Sequence, residues 1–267
     1  MDIQWYPGHM AKAKREILQH LQQVDMVVEL ADARAPASTR NPDLQAINRK
    51  PVLIALTKDD LADPEVTQRW LAFWRAQDVS VVVLDLQHNR GVSTLLQAIQ
   101  TLAPQKRRLP RALVVGIPNV GKSTLINRFA GRSSAKTGAK PGVTRGRQWI
   151  KAKNVQLLDT PGVLWPKFAD QDAAQRLAVL AAIRDDIFDW EETALWLLNH
   201  LERWYPDVLP QRYETTSHGG NWLDEIGKRR GCLRSGGLVD TELAAKALLQ
   251  DFRTGKLGRI SLESPAT

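Results

Sequence analysis

The feature that most constrains the fold of this chain is the octapeptide Gly116-Ile117-Pro118-Asn119-Val120-Gly121-Lys122-Ser123, which fits the pattern G-x-x-x-x-G-K-[ST]. The apolar run 112–115 before it predicts a buried strand, and residues 124–129 after it continue as a helix. A loop between a strand and a helix directs its backbone N–H groups at a phosphate, at the positive end of the helix. The residues assigned to this phosphate site are Asn119, Val120, Gly121, Lys122, Ser123 and Thr124.

Side chains in and after this loop predict a Mg²⁺ site. Lys122 reaches the outer phosphates, and the Ser123 hydroxyl lies on the metal. Asp159 follows the apolar stretch 155–158 and opens Asp159-Thr160-Pro161-Gly162, in which the carboxylate holds the Mg²⁺ shell and the Gly162 N–H meets the γ-phosphate. The tetrapeptide alone also suits a β-turn. Its position about 40 residues after the phosphate loop favours the nucleotide interpretation.

A threonine between these two motifs is predicted to complete the metal site. Thr144 in the loop 140–146 adds its hydroxyl to Mg²⁺ when the γ-phosphate is present, and Thr137 is the alternative. Such a loop becomes ordered with the triphosphate and relaxes after hydrolysis.

A base-reading motif lies upstream of the phosphate loop. The apolar run 51–56 predicts a strand that leads into Thr57-Lys58-Asp59-Asp60, a variant of N-K-x-D. Asp60 is placed to accept hydrogen bonds from guanine N1 and N2, and Lys58 to pack along the ring. Thr57 stands where Asn is commoner, and its hydroxyl makes one bond to the loop rather than an amide's pair. Capping of a helix by Asp59-Asp60 is the alternative.

The order of these motifs predicts a circularly permuted GTPase. The run 79–84 is a further strand, and Asp85 and Leu86 after it wrap the base from the other side. The polar, basic segment 103–110 then links the original ends, which is tolerated because domain termini often lie close together. The predicted fold is α/β: a Ras-like P-loop GTPase domain in circularly permuted order, residues 1–172, followed by a small all-helical domain, residues 173–267.

Further motifs at both ends of the chain narrow the family. They are Trp5-Tyr6-Pro7-Gly8-His9-Met10, Asp32-Ala33-Arg34-Ala35-Pro36, Asn41-Pro42, Gly236-Gly237-Leu238-Val239-Asp240 and the segment 251–258. With them the chain resembles, nearly end to end, the bacterial ribosome biogenesis GTPase A family (YlqF/RbgA type). The resemblance implies GTP hydrolysis coupled to maturation of the large ribosomal subunit. This chain departs from the family where Asp85-Leu86 replaces the usual Ser-Ala.

The position that orients the attacking water in Ras-like enzymes carries Val163, which has no polar group. The family resemblance makes His9 a catalytic candidate beside Lys122 and Thr144, with a capping or surface histidine as the alternative. Asn119 also resembles an asparagine that holds K⁺ in GTPases that lack the water-orienting glutamine of Ras-like enzymes. A turn-forming role is the alternative. Mg²⁺ and K⁺ are thus the candidate cofactors, and slow intrinsic turnover stimulated by ribosomal particles is predicted.

Charge favours a nucleic-acid partner. The net charge is +8, and residues 106–158 contain thirteen Lys and Arg but no Asp or Glu. A basic surface of this size is typical of RNA contact, although a solvated surface is the alternative. The same two interpretations apply to basic residues near the C-terminus, namely Arg229, Arg230, Arg234, Arg253, Lys256 and Arg259.

Composition and helical spacing complete the expectations. The single cysteine and the lack of a signal-peptide core or transmembrane-length apolar run predict the bacterial cytoplasm and no membrane contact. The expected state is a monomer, and the family resemblance implies GTP or GDP, rRNA and the precursor of the large ribosomal subunit as partners. Helical spacing predicts that Trp204, Leu243, Ala247 and Leu248 face the core of the C-terminal region. A nucleotide-dependent RNA-binding module with little or no hydrolysis is the alternative function.

Overall fold

The computed structural model describes residues 17–42, 44, 48–105, 107–130, 149–160, 171–215 and 221–266. They divide into two compact units. The first contains the described residues between 17 and 160 together with residues 263–266, and the second contains the described residues between 171 and 262. The division of the chain after residue 172 remains a prediction.

The first unit is built on a six-stranded sheet with the order β3-β2-β1-β4-β6-β5. Neighbouring strands are parallel, except that β5 runs antiparallel to β6. Both faces of a parallel sheet are covered, which explains why its strands are apolar runs. The α/β fold with a mostly parallel sheet is confirmed. The strands are β1 Met26–Asp32, β2 Val52–Thr57, β3 Ser80–Val83, β4 Arg111–Gly116, β5 Trp149–Ala152 and β6 Val155–Asp159.

Three helices of the first unit connect these strands: α1 Pro64–Arg75, α2 Val92–Leu102 and α3 Lys122–Ala130. Helix α1 begins after Asp63, whose Oδ1 accepts hydrogen bonds from Glu65 N at 2.8 Å and Val66 N at 3.2 Å. This is the side-chain cap that satisfies the first N–H groups of a helix. The capping alternative for Asp59-Asp60 is therefore wrong, and these residues lie in a short 3-10 turn, Asp59–Leu61.

The basic link before β4 is held at the amino-terminal edge of the sheet. Arg108 donates two hydrogen bonds, at 2.8 and 2.9 Å, to the two carboxylate oxygens of Asp25. The N–H of Arg111, the first residue of β4, donates to the same carboxylate at 2.9 Å. Asp25 is buried and precedes β1 by one residue. The link is therefore fastened to the first strand of the unit by a charge-assisted contact.

The second unit is helical in its described part: α4 Gln171–Val179, α5 Trp190–Trp204, α6 Val208–Tyr213, α7 Trp222–Arg230 and α8 Thr241–Arg253. Helix α8 is capped by Asp240, whose Oδ1 accepts from Leu243 N at 3.0 Å. Its buried residues include Ala244, Ala245, Leu248, Leu249 and Phe252.

Two of the predictions for helix faces in the second unit are wrong. The side chain of Leu243 is 48% exposed and that of Trp204 is 61% exposed. Small alanines at positions 244 and 245 occupy the buried face of α8, so the larger Leu243 lies outside it. Leu248 is fully buried as predicted. Among the described helices of both units, none is long and apolar enough to span a bilayer.

Candidate nucleotide site

The predicted site residues follow the carboxyl ends of parallel strands. Strands β1, β2, β3, β4 and β6 run in one direction, so their carboxyl ends lie along one edge of the sheet. The chain fills the sheet outward from β1 to β3 and then resumes on the other side of β1 with β4. A crevice at such a switch in strand order is where open α/β sheets bind their ligands.

The phosphate loop connects β4 to α3 in a conformation that depends on glycine. A Cβ atom on Gly116 would lie 2.8 Å from Val120 Cγ1 and 3.1 Å from the Leu30 carbonyl oxygen. Gly121 has φ +100°, a region that side-chain-bearing residues rarely adopt. Asn119 is also left-handed, at φ 60°. The loop therefore turns sharply enough for α3 to begin at Lys122, directly beside β4.

The predicted base-reading loop and the phosphate loop are in contact. The hydroxyl of Thr57, at the end of β2, donates to the Val120 carbonyl at 2.5 Å, and Thr57 is completely buried. A Cβ atom on Gly121 would lie 3.8 Å from Thr57 Cβ and 3.4 Å from Leu86 Cδ1. Residues from β2, from the loop after β3 and from the phosphate loop thus meet at one place, as the permuted motif order requires.

Lys58 and Asp60 lie directly after this contact. Lys58 is left-handed at φ 57°, and its Nζ is 3.0 Å from Asp32 Oδ2 at the end of β1. Burial lowers the pKa of Lys58, and the adjacent Asp32 carboxylate acts in the opposite direction. Asp60 lies in the 3-10 turn and is half-buried. The Asp60 carboxylate does not cap α1, because Asp63 does so. A helix-capping role therefore does not compete with the predicted role of Asp60 as acceptor for the base.

The carboxylate of Asp85 is used inside its own loop. It accepts hydrogen bonds from the His88 N–H at 2.9 Å and from Arg90 Nε at 2.9 Å. Burial raises the pKa of Asp85, but the hydrogen bonds from His88 and Arg90 outweigh this and lower it to about 2. Arg128 of α3 donates to the carbonyls of Leu86 and Gln87. Asp85 therefore shapes the loop, while buried Leu86 packs beside the phosphate loop.

Lys122 and Asp159 form an ion pair at the end of the sheet, with Lys122 Nζ 3.2 Å from Asp159 Oδ1. Both side chains are buried, whereas Ser123 and Thr124 are exposed at the start of α3. The described residues contain no cluster of three or more His, Cys, Asp or Glu able to hold a metal. One carboxylate and one hydroxyl fit Mg²⁺, which proteins usually bind through one or two carboxylates together with substrate phosphates.

Several predicted residues lie outside the described residues. They are His9, Thr137, Thr144, Gly162 and Val163, together with the basic residues between 131 and 148. Their assignments remain predictions.

Most described basic candidates make contacts within their own unit. Arg253 donates to the carbonyls of Ala178 and Val179, and Arg229 donates to the Glu214 carbonyl. Asp251, which is completely buried, attracts Arg212, Arg230 and Lys256 at 2.9, 3.5 and 3.8 Å. Lys151 and Lys153, in and after β5, are exposed. The structural contacts reduce the number of side chains that are available to an RNA.

Sequence reasoning assigned no role to Asp32, Arg34 or Arg128 individually. The first two were noticed only as parts of a family motif, and the third as one charge among many. The available signal was an acidic residue at the end of an apolar strand followed two residues later by arginine.

Comparison with known proteins agrees with this geometry. A family model described as 50S ribosome-binding GTPase matches residues 111–206. Ribosome biogenesis GTPase A of Priestia megaterium is 44% identical over 282 residues, covering 100% of this chain and 98% of that protein. The GNP-bound structure of YlqF from T. maritima superposes with a TM-score of 0.71 at 31% identity, covering 95% of this chain and 98% of that one. Its GDP-bound structure also gives 0.71, at 30% identity, with 94% and 99% covered. The chain therefore belongs to the ribosome biogenesis GTPase A family and is a GTP hydrolase.

Proposed function

We propose that this GTPase acts in the maturation of the large ribosomal subunit, that it binds pre-ribosomal RNA in the GTP state, and that hydrolysis releases it. The family supports the first part, since its members are named for ribosome biogenesis. Binding of two nucleotide states is supported by the related T. maritima protein, which has been crystallised with GDP and with GNP.

The observation that carries the guanine-nucleotide assignment is the hydrogen bond from the Thr57 hydroxyl to the Val120 carbonyl. It joins a strand end suited to a base with a loop suited to phosphates. In this proposal Asp60 accepts from guanine N1 and N2, and the stem of Lys58 lies along the ring. Asp85 and Leu86 close the other side, Asp85 by holding the loop in shape.

The phosphate end of the proposed site is formed by the loop 119–124 and by Gly162. Lys122 neutralises charge on the outer phosphates, and Ser123, Asp159 and Thr144 hold Mg²⁺, which offsets the charge developing on the transferred phosphoryl group. His9 orients the attacking water. The Asn119 side chain, which is exposed in its left-handed position, holds K⁺.

Contact with rRNA is proposed for the acid-free stretch. Within its described part Arg107, Lys151 and Lys153 are exposed, and six more basic residues belong to the same stretch of sequence outside that part. Phosphate contacts of this kind weaken as salt rises, because binding releases counterions. We place the protein in the cytoplasm, since a ribosomal precursor is its proposed partner. We propose that it acts as a monomer.

Two measurements test the proposal. Phosphate release is followed with Mg²⁺ alone and with large-subunit precursor particles, and we expect stimulation of about tenfold or more, since partner-supplied groups accelerate GTPases strongly. Co-sedimentation with the particles is then compared for a non-hydrolysable GTP analogue and for GDP. Rapid turnover without particles, or equal sedimentation in both states, contradicts the cycle proposed here.

The base site has its own test in Asp60→Asn. An amide donates where the carboxylate accepted, so it matches the C2 carbonyl of xanthine better than the amino group of guanine. We expect affinity to move from GDP towards XDP. Unchanged preference for GDP removes Asp60 from the base site.

A further inference from the structure

We propose that Asp32 and Arg34 are positioning residues for guanine binding, acting through Lys58. Buried Asp32 and Arg34 form a cluster with half-buried Lys58, and this cluster is called here the β1 clamp. The inference rests on the proposed role of Lys58 at the base and adds residues that do not touch the nucleotide themselves.

The first step is that Arg34 fixes the carboxylate of Asp32. Arg34 Nε donates to Oδ1 at 2.9 Å and Nη2 donates to Oδ2 at 2.9 Å, a two-point contact that sets both the position and the plane of the carboxylate. The backbone N–H of Arg34 adds a third bond to Oδ1 at 3.1 Å. Each residue is only 1% exposed. Arg34 and Lys58 together hold the pKa of Asp32 well below its usual range, despite the opposing effect of burial.

The second step is that the fixed carboxylate holds the far end of Lys58. Asp32 pairs in register with Thr57 across β1 and β2, so Lys58 is the residue after the strand partner of Asp32. Its Nζ lies 3.0 Å from Asp32 Oδ2, the oxygen that also accepts from Arg34.

The near end of Lys58 is held as well. The Ala33 N–H donates to the Thr57 carbonyl at 2.8 Å, and the Thr57 hydroxyl is bonded to Val120. With the backbone fixed at one end and the ammonium at the other, the methylene stem between them has few conformations left. A stem ordered before binding does not lose that entropy when a purine packs on it.

A structural role alone does not explain this cluster well. Two cations share one carboxylate, and buried ion pairs seldom stabilise a fold more than apolar residues of similar volume. A neighbouring pair on the same strand provides the comparison. Glu29 is equally buried and accepts from Arg40 Nε at 2.9 Å, but it lies three residues earlier in β1 and has no contact with Lys58 among the described residues.

The test is a double-mutant cycle on GDP affinity, measured by calorimetric titration of the full-length protein. Four proteins are compared: wild type, Asp32→Asn, Lys58→Met and the double variant. Because the clamp is charge-assisted, we expect Asp32→Asn to weaken GDP binding about tenfold in the wild-type background and less than about twofold when Lys58 is already Met. The matched control Glu29→Gln removes a buried charge from the same strand, and we expect it to lower the unfolding temperature while GDP affinity stays within about twofold of wild type.

Each outcome separates the hypotheses. If Lys58→Met binds GDP as wild type does, the Lys58 ammonium contributes nothing to binding and the clamp is wrong, whereas failure of the base site itself shows as an unchanged preference of Asp60→Asn for GDP. If Lys58→Met weakens binding but Asp32→Asn does not, or if Asp32→Asn weakens it equally in both backgrounds, the clamp is wrong and the base site stands.

Two measurements cover the case in which Asp32→Asn does not fold. Arg34→Lys keeps the charge but loses the two-point contact, and we expect it to weaken GDP binding in the same direction and to depend on Lys58 in the same way. In the protein without nucleotide, acetylation of Lys58 is compared between wild type and Arg34→Lys by peptide mass spectrometry, because burial of Lys58 is then the same in both proteins. Faster reaction in Arg34→Lys supports the clamp, and equal rates overturn it.

Discussion

The bond between the Thr57 hydroxyl and the Val120 carbonyl gives the sharpest test of how the two halves of the site are joined. Thr57→Val keeps the shape of the side chain and removes only the hydroxyl, so it opens no cavity. The Val120 carbonyl is then left without this donor at a completely buried contact. Loss of a buried hydrogen-bond partner costs about 1–3 kcal/mol. For a unit of this size each kcal/mol lowers the melting temperature by about 2–4 °C.

The second unit provides a matched control for the same substitution. Thr193 in α5 is 1% exposed, and its hydroxyl makes no hydrogen bond within the described part of the chain. Thr193→Val therefore removes a buried hydroxyl that has no such bond, and we expect stability to be unchanged or increased. Scanning calorimetry of wild type and both variants, without nucleotide and with GDP, measures the difference.

GDP affinity supplies the functional readout. A loosened phosphate loop must be reordered on binding, so Thr57→Val is expected to weaken GDP, whereas Thr193→Val is not. The reasoning is refuted if Thr57→Val melts within a degree of wild type, or if Thr193→Val is as destabilising as Thr57→Val.

Three further outcomes follow from the same geometry. Gly91→Ala places a Cβ atom 2.0 Å from the Val83 carbonyl oxygen at the end of β3, at φ +79°, so we expect the free energy of unfolding to fall by at least about 2 kcal/mol. The control Gly231→Ala has φ +68° but no described atom within 4 Å of the added Cβ, so we expect a loss of about 1 kcal/mol. Urea unfolding of both variants measures the difference. Because the folded-state pKa of Asp85 is lowered to about 2 from 3.8, its contribution to stability is present above pH 4 and is lost between pH 4 and 2. The stability of Asp85→Asn should therefore fall less steeply than that of wild type as the pH is lowered through that window. The exposed control Asp78→Asn should show the same pH dependence as wild type. Glu263→Gln weakens bonds to a loop of the first unit and should lower the melting temperature of that unit, by calorimetry, as expected for a loss of about 1–2 kcal/mol; an unchanged melting temperature would show that this carboxylate adds nothing to the unit.

The reason for the last outcome is the position of residues 263–266. The Glu263 carboxylate accepts from the Ser38 N–H at 2.9 Å and from the Ser38 hydroxyl at 2.5 Å. The Glu263 carbonyl accepts from the indole N–H of Trp70 at 3.2 Å. The end of the chain thus packs with the first unit, although the residues before it belong to the second. No local sequence pattern predicts that residues 263–266 pack with the first unit, because a single glutamate there resembles any solvated charge.

Most of the sheet could be predicted from the sequence because its strands are buried on both faces and therefore appear as apolar runs. The apolar runs 51–56 and 155–158 correspond to β2 Val52–Thr57 and β6 Val155–Asp159. Helix α5, Trp190–Trp204, begins after an acidic cap, and its buried apolar residues recur on one face. Where an element buries a continuous stripe, the sequence period is enough to identify it.

The incorrect predictions concern apolar residues whose helical spacing places them beside the face that is buried. Leu243 and Trp204 are large and apolar, yet both are exposed. In α8 the face that packs against its neighbours contains Ala244 and Ala245, since small side chains let helices approach closely. Periodicity gives the spacing of a face, but which of two adjacent apolar stripes is buried depends on partners far away in the sequence.

In the site, too, local features could be predicted from the sequence, whereas contacts between distant residues could not. The phosphate loop was recognisable because its eight residues act locally. The β1 clamp was not, since Asp32 and Lys58 are 26 positions apart and meet only through the register of β1 and β2. The role of Asp85 was likewise hidden, because a carboxylate beside a base and a carboxylate holding a loop look alike until their partners are known.

Circular permutation explains why contacts between the halves matter more here than in a chain of conventional order. The carboxyl end of β2 and the loop after β4 are separated by the whole basic link, so chain connectivity alone does little to hold base site and phosphate site in register. Two contacts supply that register: Asp25 with Arg108 at the amino-terminal edge of the sheet, and Thr57 with Val120 at the carboxyl edge. A nucleotide that touches both halves adds a third. Such a ligand stabilises the folded state by about 2.7 kcal/mol at 100 times its dissociation constant. Cutting the link by proteolysis between residues 103 and 107 should therefore leave a nicked protein whose halves stay associated when GDP is present and separate more readily when it is absent.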